Sequence, residues 1–266
     1  MRIMKKLSCL KTIWGSSMVL CFWYVMHLFV NSSIIPSPHA TIAAFFRLLQ
    51  EDMHMHIIFS LYRIFIAILI SISVGVPIGL LLGLREKVDR LISPVVYILY
   101  PIPKIAFLPV FMLLLGLGER SKIFLIVTII IFQILIATRD GVKNIPRELF
   151  LSVKSLGLNE WQTYVHLIIP AVLPQIISAL RISIGISISV LFFAENFATT
   201  YGIGYFIINN WIMVNYVDMF AGILALSLMG ILLFKIIDWL EYKILKYRIV
   251  EKDISVVEKD ILNEDN

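Results

Sequence analysis

Side chains able to do chemistry are sparse in this chain. Residues 53–56 read MHMH, and Met and His are the ligand types that hold soft ions such as copper. Only two imidazoles, His54 and His56, stand there. An extended segment is needed to aim both at one ion, and a helix sets them apart. The plainer reading is a surface loop, and no metal site is expected. Neither H-E-x-x-H nor G-x-S-x-G occurs, so no catalytic residue is nominated and an embedded enzyme of those kinds lacks its constellation. G-x-x-x-x-G-K-[ST] is also absent, so the chain does not supply a phosphate-cradling nucleotide site itself.

What remains is a handful of polar groups in apolar surroundings. Lys104 stands in the apolar run 92–115. A lysine at a helix centre costs roughly 2.5–3.5 kcal/mol on the insertion scale, which neighbouring aliphatic residues offset at about −0.3 to −0.6 each. The charge still needs water or a partner. Pro101, Pro103 and Pro109 surround it, and broken helices at membrane depth are tolerated where they are buried or line a cavity. Lys104 therefore reads either as a pathway residue that favours anions or as a snorkelling or ion-paired lysine. Glu195, beside Asn196, ends the apolar run 171–196. It is either a gate or a cap for the following loop, and a helix end close to water favours the cap. In RISIGISIS (181–189), Ser183 and Ser187 share one helix face, with Gly185 and Ser189 on another. Gly75, Gly79 and Gly83 recur every four residues. Both patterns allow helices to approach closely; a polar solute lining from Ser183 and Ser187 is the second reading.

These residues need membrane helices to position them. The chain has 266 residues, 59% hydrophobic and 15% charged, where soluble domains run at roughly 45–50% and about 25%. The mean hydropathy is +0.91. The formal charge of +5 is not a nucleic-acid signal, because the basic residues cluster beside apolar runs. Cys9 and Cys21 support no disulfide framework. Six segments approach the about 20 apolar residues that a spanning helix needs: 13–30, 58–84, 92–115, 121–139, 171–196 and 218–240. The first follows Arg2, Lys5, Lys6 and Lys11 and is long for a secretory signal, with no small-x-small cleavage site to close it. It reads as a retained spanning helix. The predicted fold is an all-α membrane protein of six transmembrane helices.

Lys and Arg fall mainly in the N-terminal leader, in 85–90, in 139–154 and after 243, whereas 197–217 has neither. By the positive-inside rule both termini and 140–170 are cytoplasmic. After Pro36 and Pro38, an amphipathic helix with Ile42, Phe45, Phe46 and Leu49 on one face is predicted to lie along the outer surface. VEKDI occurs twice in the tail, at 250–254 and 257–261, too short a repeat for a coiled coil. The domain reading is 1–56 for the leader, first helix and external segment, 57–245 for the core, and 246–266 for a charged tail.

The longest polar stretch, RELFLSVKSLGLNEWQTYVHLIIPAVLP (147–174), predicts a helix–turn–helix. Pro146 suits a first helical turn. Leu149, Val153 and Leu156 make an apolar face, Gly157 ends the helix, and Asn159 caps a second helix over about 160–168. The second helix presents Trp161, Tyr164, Val165 and Ile168, and Pro170 and Pro174 open the fifth span. Such a greasy helix pair lies on lipid or docks into a partner's groove.

Gly157, nine residues, Leu167, one residue, Ile169 and Pro170 resemble the cytoplasmic loop signature of ABC-importer permeases. PIPKIAFLPVFMLLLGLGERSK (101–122) and AENFATTYGIGYFI (194–207) are similar to two motifs of the nitrate, taurine and aliphatic-sulfonate branch. The resemblance spans about residues 55–245. The family's Glu-Ala-Ala falls here on Leu151, Ser152 and Val153, with Glu148 one turn earlier as a partial substitute. The resemblance implies a multi-pass permease of the bacterial cytoplasmic (inner) membrane that pairs with a second copy. Two ATP-binding ABC subunits would dock on the loop residues Glu148, Leu151, Ser152, Val153, Gly157, Trp161, Leu167, Ile169 and Pro170. An extracytoplasmic binding protein would deliver a small, anionic solute. It implies no cofactor in this chain, the ATP being used by the partner subunits, and contacts with membrane lipid but not nucleic acid. A vitamin-precursor importer and a non-transporting scaffold are the other readings.

Overall fold

A computed structural model describes residues 2–30 and 33–245, the side chains of 2–13 excepted. The described residues are helical throughout, with no strand. In chain order the helices are α1 (Arg2–Val30), α2 (Pro38–Gln50), α3 (Met53–Leu84), α4 (Glu86–Leu99), a 3₁₀ turn (Lys104–Phe107), α5 (Leu108–Leu115), α6 (Glu119–Lys143), α7 (Arg147–Ser155), α8 (Glu160–Thr163), a π-helical turn (Tyr164–Ile168), α9 (Ile169–Ala194), α10 (Ile203–Ile212) and α11 (Tyr216–Ile244). The predicted tail 246–266 with its repeat, and the Cys9 side chain, lie outside the described residues.

Four continuous helical stretches are long and apolar enough to cross a membrane: α3, α6, the run Glu160–Ala194 and α11. The bent pair of α4 with Lys104–Leu115 makes a fifth if it is one span, its halves meeting at 77°. The predicted bounds hold closely for 121–139 and 218–240, but α3 begins at Met53, α4 at Glu86 and the run before α10 at Glu160, and the apolar part of α1, Trp14–Val30, is shorter than these spans. Two segments differ in kind. MHMH is not a surface loop: it is the first turn of α3, where Met53 and His56 are buried and His54 and Met55 face outward. The segment 197–217, predicted as an outside loop, contains α10.

The chain divides into two compact units, Met1–Leu61 with Glu195–Met229, and Tyr62–Ala194 with Gly230–Asn266. In the first unit, Ser37 caps α2 through an Ala40 N–H at 3.4 Å, and Pro38 occupies its first turn. The buried stripe of α2 is Pro38, Thr41, Ala44, Phe45 and Leu48. The predicted face is thus rotated: Phe45 is buried, but Ile42 and Phe46 are exposed. Helix periodicity finds a stripe, yet 41/44/45/48 competes with 42/45/46/49 when both are apolar.

The second unit is built around α6. Gly75, Gly79 and Gly83 of α3 lie directly against it. A Cβ on Gly79 would stand 2.6 Å from the Leu135 carbonyl oxygen and 2.7 Å from Thr138 Cβ, and one on Gly83 would stand 2.5 Å from Val142 Cβ. The four-residue repeat is a close-packing device, as predicted. Buried Ile134, Ile177, Leu180 and Ile184 join α6 to α9 in one cluster, with Ile68, Ile72 and Val76 of α3 packed against it. At one end of α6, Asp89 of α4 accepts from Arg139 Nη2 (2.8 Å) and Ser93 Oγ (2.5 Å) and is also paired with Lys143. At the other end, Arg63 and Glu119 form a two-pronged ion pair at 2.5 and 2.7 Å. Arg63 is 1% exposed, and a buried charge of this kind is tolerable because it is paired and hydrogen-bonded.

Candidate functional site

The polar helix pair α7–α8 begins, as predicted, immediately after Pro146. Gly157 terminates α7 with φ +74°, a left-handed conformation that glycine adopts without a Cβ penalty. The Leu158 N–H then donates back to the Val153 carbonyl at 3.3 Å, closing the turn. Asn159 caps α8 in a reciprocal box: its side chain accepts from the Gln162 N–H at 2.8 Å, and its own N–H donates to Gln162 Oε1 at 3.0 Å. Trp161 and Tyr164 stack at 6.2 Å.

Pro170 and Pro174 stand at the start of α9, as predicted, and the span runs on from α8 without a break, Glu160–Ala194 being one continuous helical run. The π turn is the reason. The Ile169 N–H reaches back to the Tyr164 carbonyl, so the register is already shifted where Pro170 lacks a donor. The inward face differs from the predicted one. Phe150, Tyr164 and Leu167 pack on Leu80, Val142, Ile145, Ile168 and Val172. Leu151, Leu156 and Trp161 point away, at 64%, 76% and 72% exposure. Leu149 and Val165 are also exposed, Val153 is half-buried, and Ile169 is 39% exposed. Of the remaining loop residues, Glu148 and Ser152 are exposed, and Pro170 and Leu167 are half-buried. Ser152 Oγ donates to the Glu148 carbonyl at 2.9 Å.

Lys104 occupies the break between α4 and α5. Its ammonium donates to the carbonyls of Leu99 (2.8 Å) and Tyr100 (2.9 Å), with Ile102 O at 3.5 Å, and lies 4.6 Å from the centre of the Phe132 ring. These are carbonyls that a helix leaves open at its C-terminus. A cation there also meets the negative end of the helix dipole. The proline-broken span expected from the sequence is present, and Lys104 is the group that fills the break.

Glu195 is fully buried, and both of its oxygens are engaged. Ser60 Oγ donates to Oε1 at 2.7 Å and accepts from the Ile203 N–H at 2.9 Å, while the Gly204 N–H donates to Oε2 at 2.7 Å. Ile203 and Gly204 open α10, so Glu195 and Ser60 satisfy its first orphan donors. The cap reading of Glu195 has a definite partner, which a sequence without α10 did not offer. His56 supports the same corner. Its Nδ1 lies 2.9 Å from Gly202 O and 3.0 Å from Gly202 N, and its ring stacks on Tyr205 at 6.1 Å. Ser60 and His56 lie four apart on α3, the only sequence signal that could have paired them.

Ser183 and Ser187 are fully buried in α9. Ser187 Oγ donates to the Ser183 carbonyl at 2.7 Å, and the Ser183 hydroxyl has no hydrogen-bond partner. Neither lines an open groove. Arg181, by contrast, reaches α11, donating to Asp238 at 2.5 Å and Glu241 at 2.6 Å.

Known proteins match this arrangement. Residues 75–248 match the family described as binding-protein-dependent transport system inner membrane component. The putative aliphatic sulfonates transport permease SsuC of Bacillus subtilis (strain 168) is 29% identical over 247 residues, covering 92% of this chain and 90% of that protein. The taurine transport system permease TauC of Escherichia coli (strain K12) is 29% identical over 234 residues, covering 85% and 82%. A chain of the MetNI methionine ABC transporter in an inward-facing conformation superposes with a TM-score of 0.62 at 19% identity, covering 72% of this chain and 95% of that one. The chain belongs to the family of inner-membrane permease components of binding-protein-dependent ABC importers; it is a transport subunit and not an enzyme.

Proposed function

We propose that this permease passes a small sulfonate-, taurine- or nitrate-like anion into the cytoplasm, and that α7–α8 is the surface its ATPases grip. One observation carries the docking assignment. A polar helix pair, its second helix closed by the Asn159 box, turns its large apolar residues Leu151, Leu156 and Trp161 outward around a left-handed Gly157. Its inner residues already hold it to the rest of the unit, so the outer ones are free for a groove in a partner, the helix-in-groove mode. Substrate class rests on the relatives, whose names specify aliphatic sulfonates and taurine.

The full assembly in this reading is a pair of these permeases, two ATP-binding subunits and an external binding protein. ATP binding then moves α7–α8 and the helices attached to them, and hydrolysis resets them. Helix α1 is the sixth span, both termini are cytoplasmic, and the division 1–56, 57–245 and 246–266 follows. Cysteines introduced one at a time at Ser155 and Thr199 test the topology: the first should label only from inside and the second only from outside. An external label at Ser155 reverses the orientation.

The decisive experiment is Trp161→Asp. The variant should reach the membrane at normal abundance, yet co-purify with little ATPase and drive little uptake. Retention of both activities would remove α7–α8 from the docking role.

A further inference from the structure

A groove runs along one side of α6 and α9. Its upper hollow, of about 380 Å³, is bounded by Gln133, Ala137, Asp140 and Asn144 on the α6 side and by Gln175 and Ser178 on the α9 side. A second hollow of about 360 Å³ shares Gly141, Asn144, Pro174 and Gln175 with the first and continues to Leu149 of α7 and His166 of the π turn. The two form one groove that ends on the α7–α8 helix pair.

The residue types are out of place for a lipid-facing surface. Gln133 interrupts the run IIIFQILI in α6. It lies ten residues before the end of that helix at Lys143, about 15 Å along the axis and so about half the thickness of the hydrocarbon layer. Positions 133, 137, 140–141 and 144 are one helical stripe, as are 174–175, 178–179 and 182. Polar groups at membrane depth face a helix partner or a water-filled cavity. Gln133 is half-buried and Ser178 is exposed within the unit. Small residues on both stripes, among them Gly141, where a Cβ would stand 3.0 Å from Val172 Cγ1, bring α6 and α9 together at the floor of the groove and leave Gln133 and Ser178 along its open side.

We propose that this groove is the inner half of the solute path, in which the neutral donors of Gln133, Gln175 and Ser178 take the oxygens of a sulfonate-type oxyanion. The inference rests on the importer reading and adds the residues that would handle the solute. Neutral amides and a hydroxyl suit transit better than a fixed cation, because a path must bind well enough to admit the solute and weakly enough to release it. The carboxylate on the wall, Asp140, accepts from Arg139 at 2.8 Å, which offsets its repulsion of an anion. Leu149 and His166 wall the inner end, so displacement of α7–α8 changes the exit directly.

The test uses the whole transporter in inside-out vesicles, with Cys9 and Cys21 first replaced by serine. Single substitutions Ala137→Cys and Ser178→Cys are exposed to a water-soluble methanethiosulfonate reagent that carries a sulfonate, and to its trimethylammonium counterpart; Ser183→Cys is the packed control on α9. Both groove positions should label, the sulfonate reagent reacting faster, and the control should not. In a separate variant, Gln133→Leu should lower uptake about tenfold, the factor one lost hydrogen bond of ordinary strength gives, with ATPase co-purification unchanged and Gln133→Asn partly restoring uptake. Unreactive groove cysteines, equal labelling of the control, or normal uptake by Gln133→Leu overturns the proposal. Failure of the docking assignment is distinguishable: it appears as normal ATPase recovery with Trp161→Asp and leaves the groove labelling as it was.

Discussion

Two proline pairs interrupt apolar sequence in the larger unit, and only one of them breaks the helix. Pro101 and Pro103 separate α4 from the stretch Lys104–Leu115, and the two meet at 77°. Pro170 and Pro174 lie in an unbroken run from Glu160 to Ala194. A proline removes one donor and crowds the carbonyl four residues earlier, so the outcome turns on what happens to the backbone groups left over. At Pro170 a single π turn absorbs the defect within the helix. At Pro101 the carbonyls of Leu99 and Tyr100 are handed to Lys104. A nearby cation makes a true break tolerable at membrane depth, where water does not satisfy the open groups.

The largest effect should therefore come from Lys104→Met. It takes the ammonium from both carbonyls; that of Leu99 keeps the Ile102 N–H at 3.4 Å, and that of Tyr100 loses the donor it had in Lys104, at a cost of roughly 1–3 kcal/mol. Membrane abundance and melting temperature should both fall, and Lys104→Arg should recover part of each. Should Lys104→Met accumulate normally but transport poorly, the lysine serves the solute path and the break stands without it. Normal behaviour in both assays would mean that the open carbonyls need no cation at all.

How much of this was legible differs between the two sites. The π turn was not, because a proline four residues before another in a greasy run reads the same whether the helix bends, breaks or shifts register. The break at 99–104 was, because prolines two apart beside a lysine leave too few donors for a helix. The turn at Gly157 and the Asn159 cap were legible for a similar local reason: left-handed glycine and an N-cap depend on neighbours in sequence. Contacts between distant residues were not. Ser60 with Glu195, Arg63 with Glu119, and Asp89 with Arg139 and Lys143 join positions 50 or more apart in the numbering, and Arg63 was hidden inside an apolar run. The groove residues escaped because Gln133 and Ser178 look like isolated polar interruptions until α6 and α9 are placed side by side.

A smaller effect is expected from the third kind of interruption, the glycine turn between α7 and α8. Gly157→Ala forces a Cβ into the left-handed region, at about 1–2 kcal/mol. Nothing lies within 4 Å of that Cβ, so the whole cost is in the backbone. Thermal stability of the purified permease should fall slightly. ATPase recovery should fall more, since the turn sets the angle at which Leu156 and Trp161 are presented. A loss of stability as large as that of Lys104→Met would mean that the turn holds the unit together and does not merely shape its surface.

The smallest effect should come from Pro170→Ala, and its size decides whether the proline causes the π turn or only fits it. The substitution restores an N–H and removes the ring that crowds the preceding turn, so the local chemistry no longer demands a shifted register. Relaxing to an α-helix would, however, rotate everything upstream by about 100°. Tyr164 and Leu167 would then leave the cluster of Leu80, Val142, Ile145, Ile168 and Val172 on which they pack. The chain is also held at its other end by the Asn159–Gln162 box. Packing and cap together should keep the π turn in place. Stability should change by no more than about 0.5 kcal/mol, the usual range for a substitution away from core contacts, and uptake should stay near normal. A cysteine pair across the turn, at Thr163 and Ala171, gives the direct reading by spin-label distance: an unchanged distance leaves the turn to packing. A shift toward α-helical spacing, with loss of ATPase recovery, would make Pro170 the residue that sets the register of the whole docking surface.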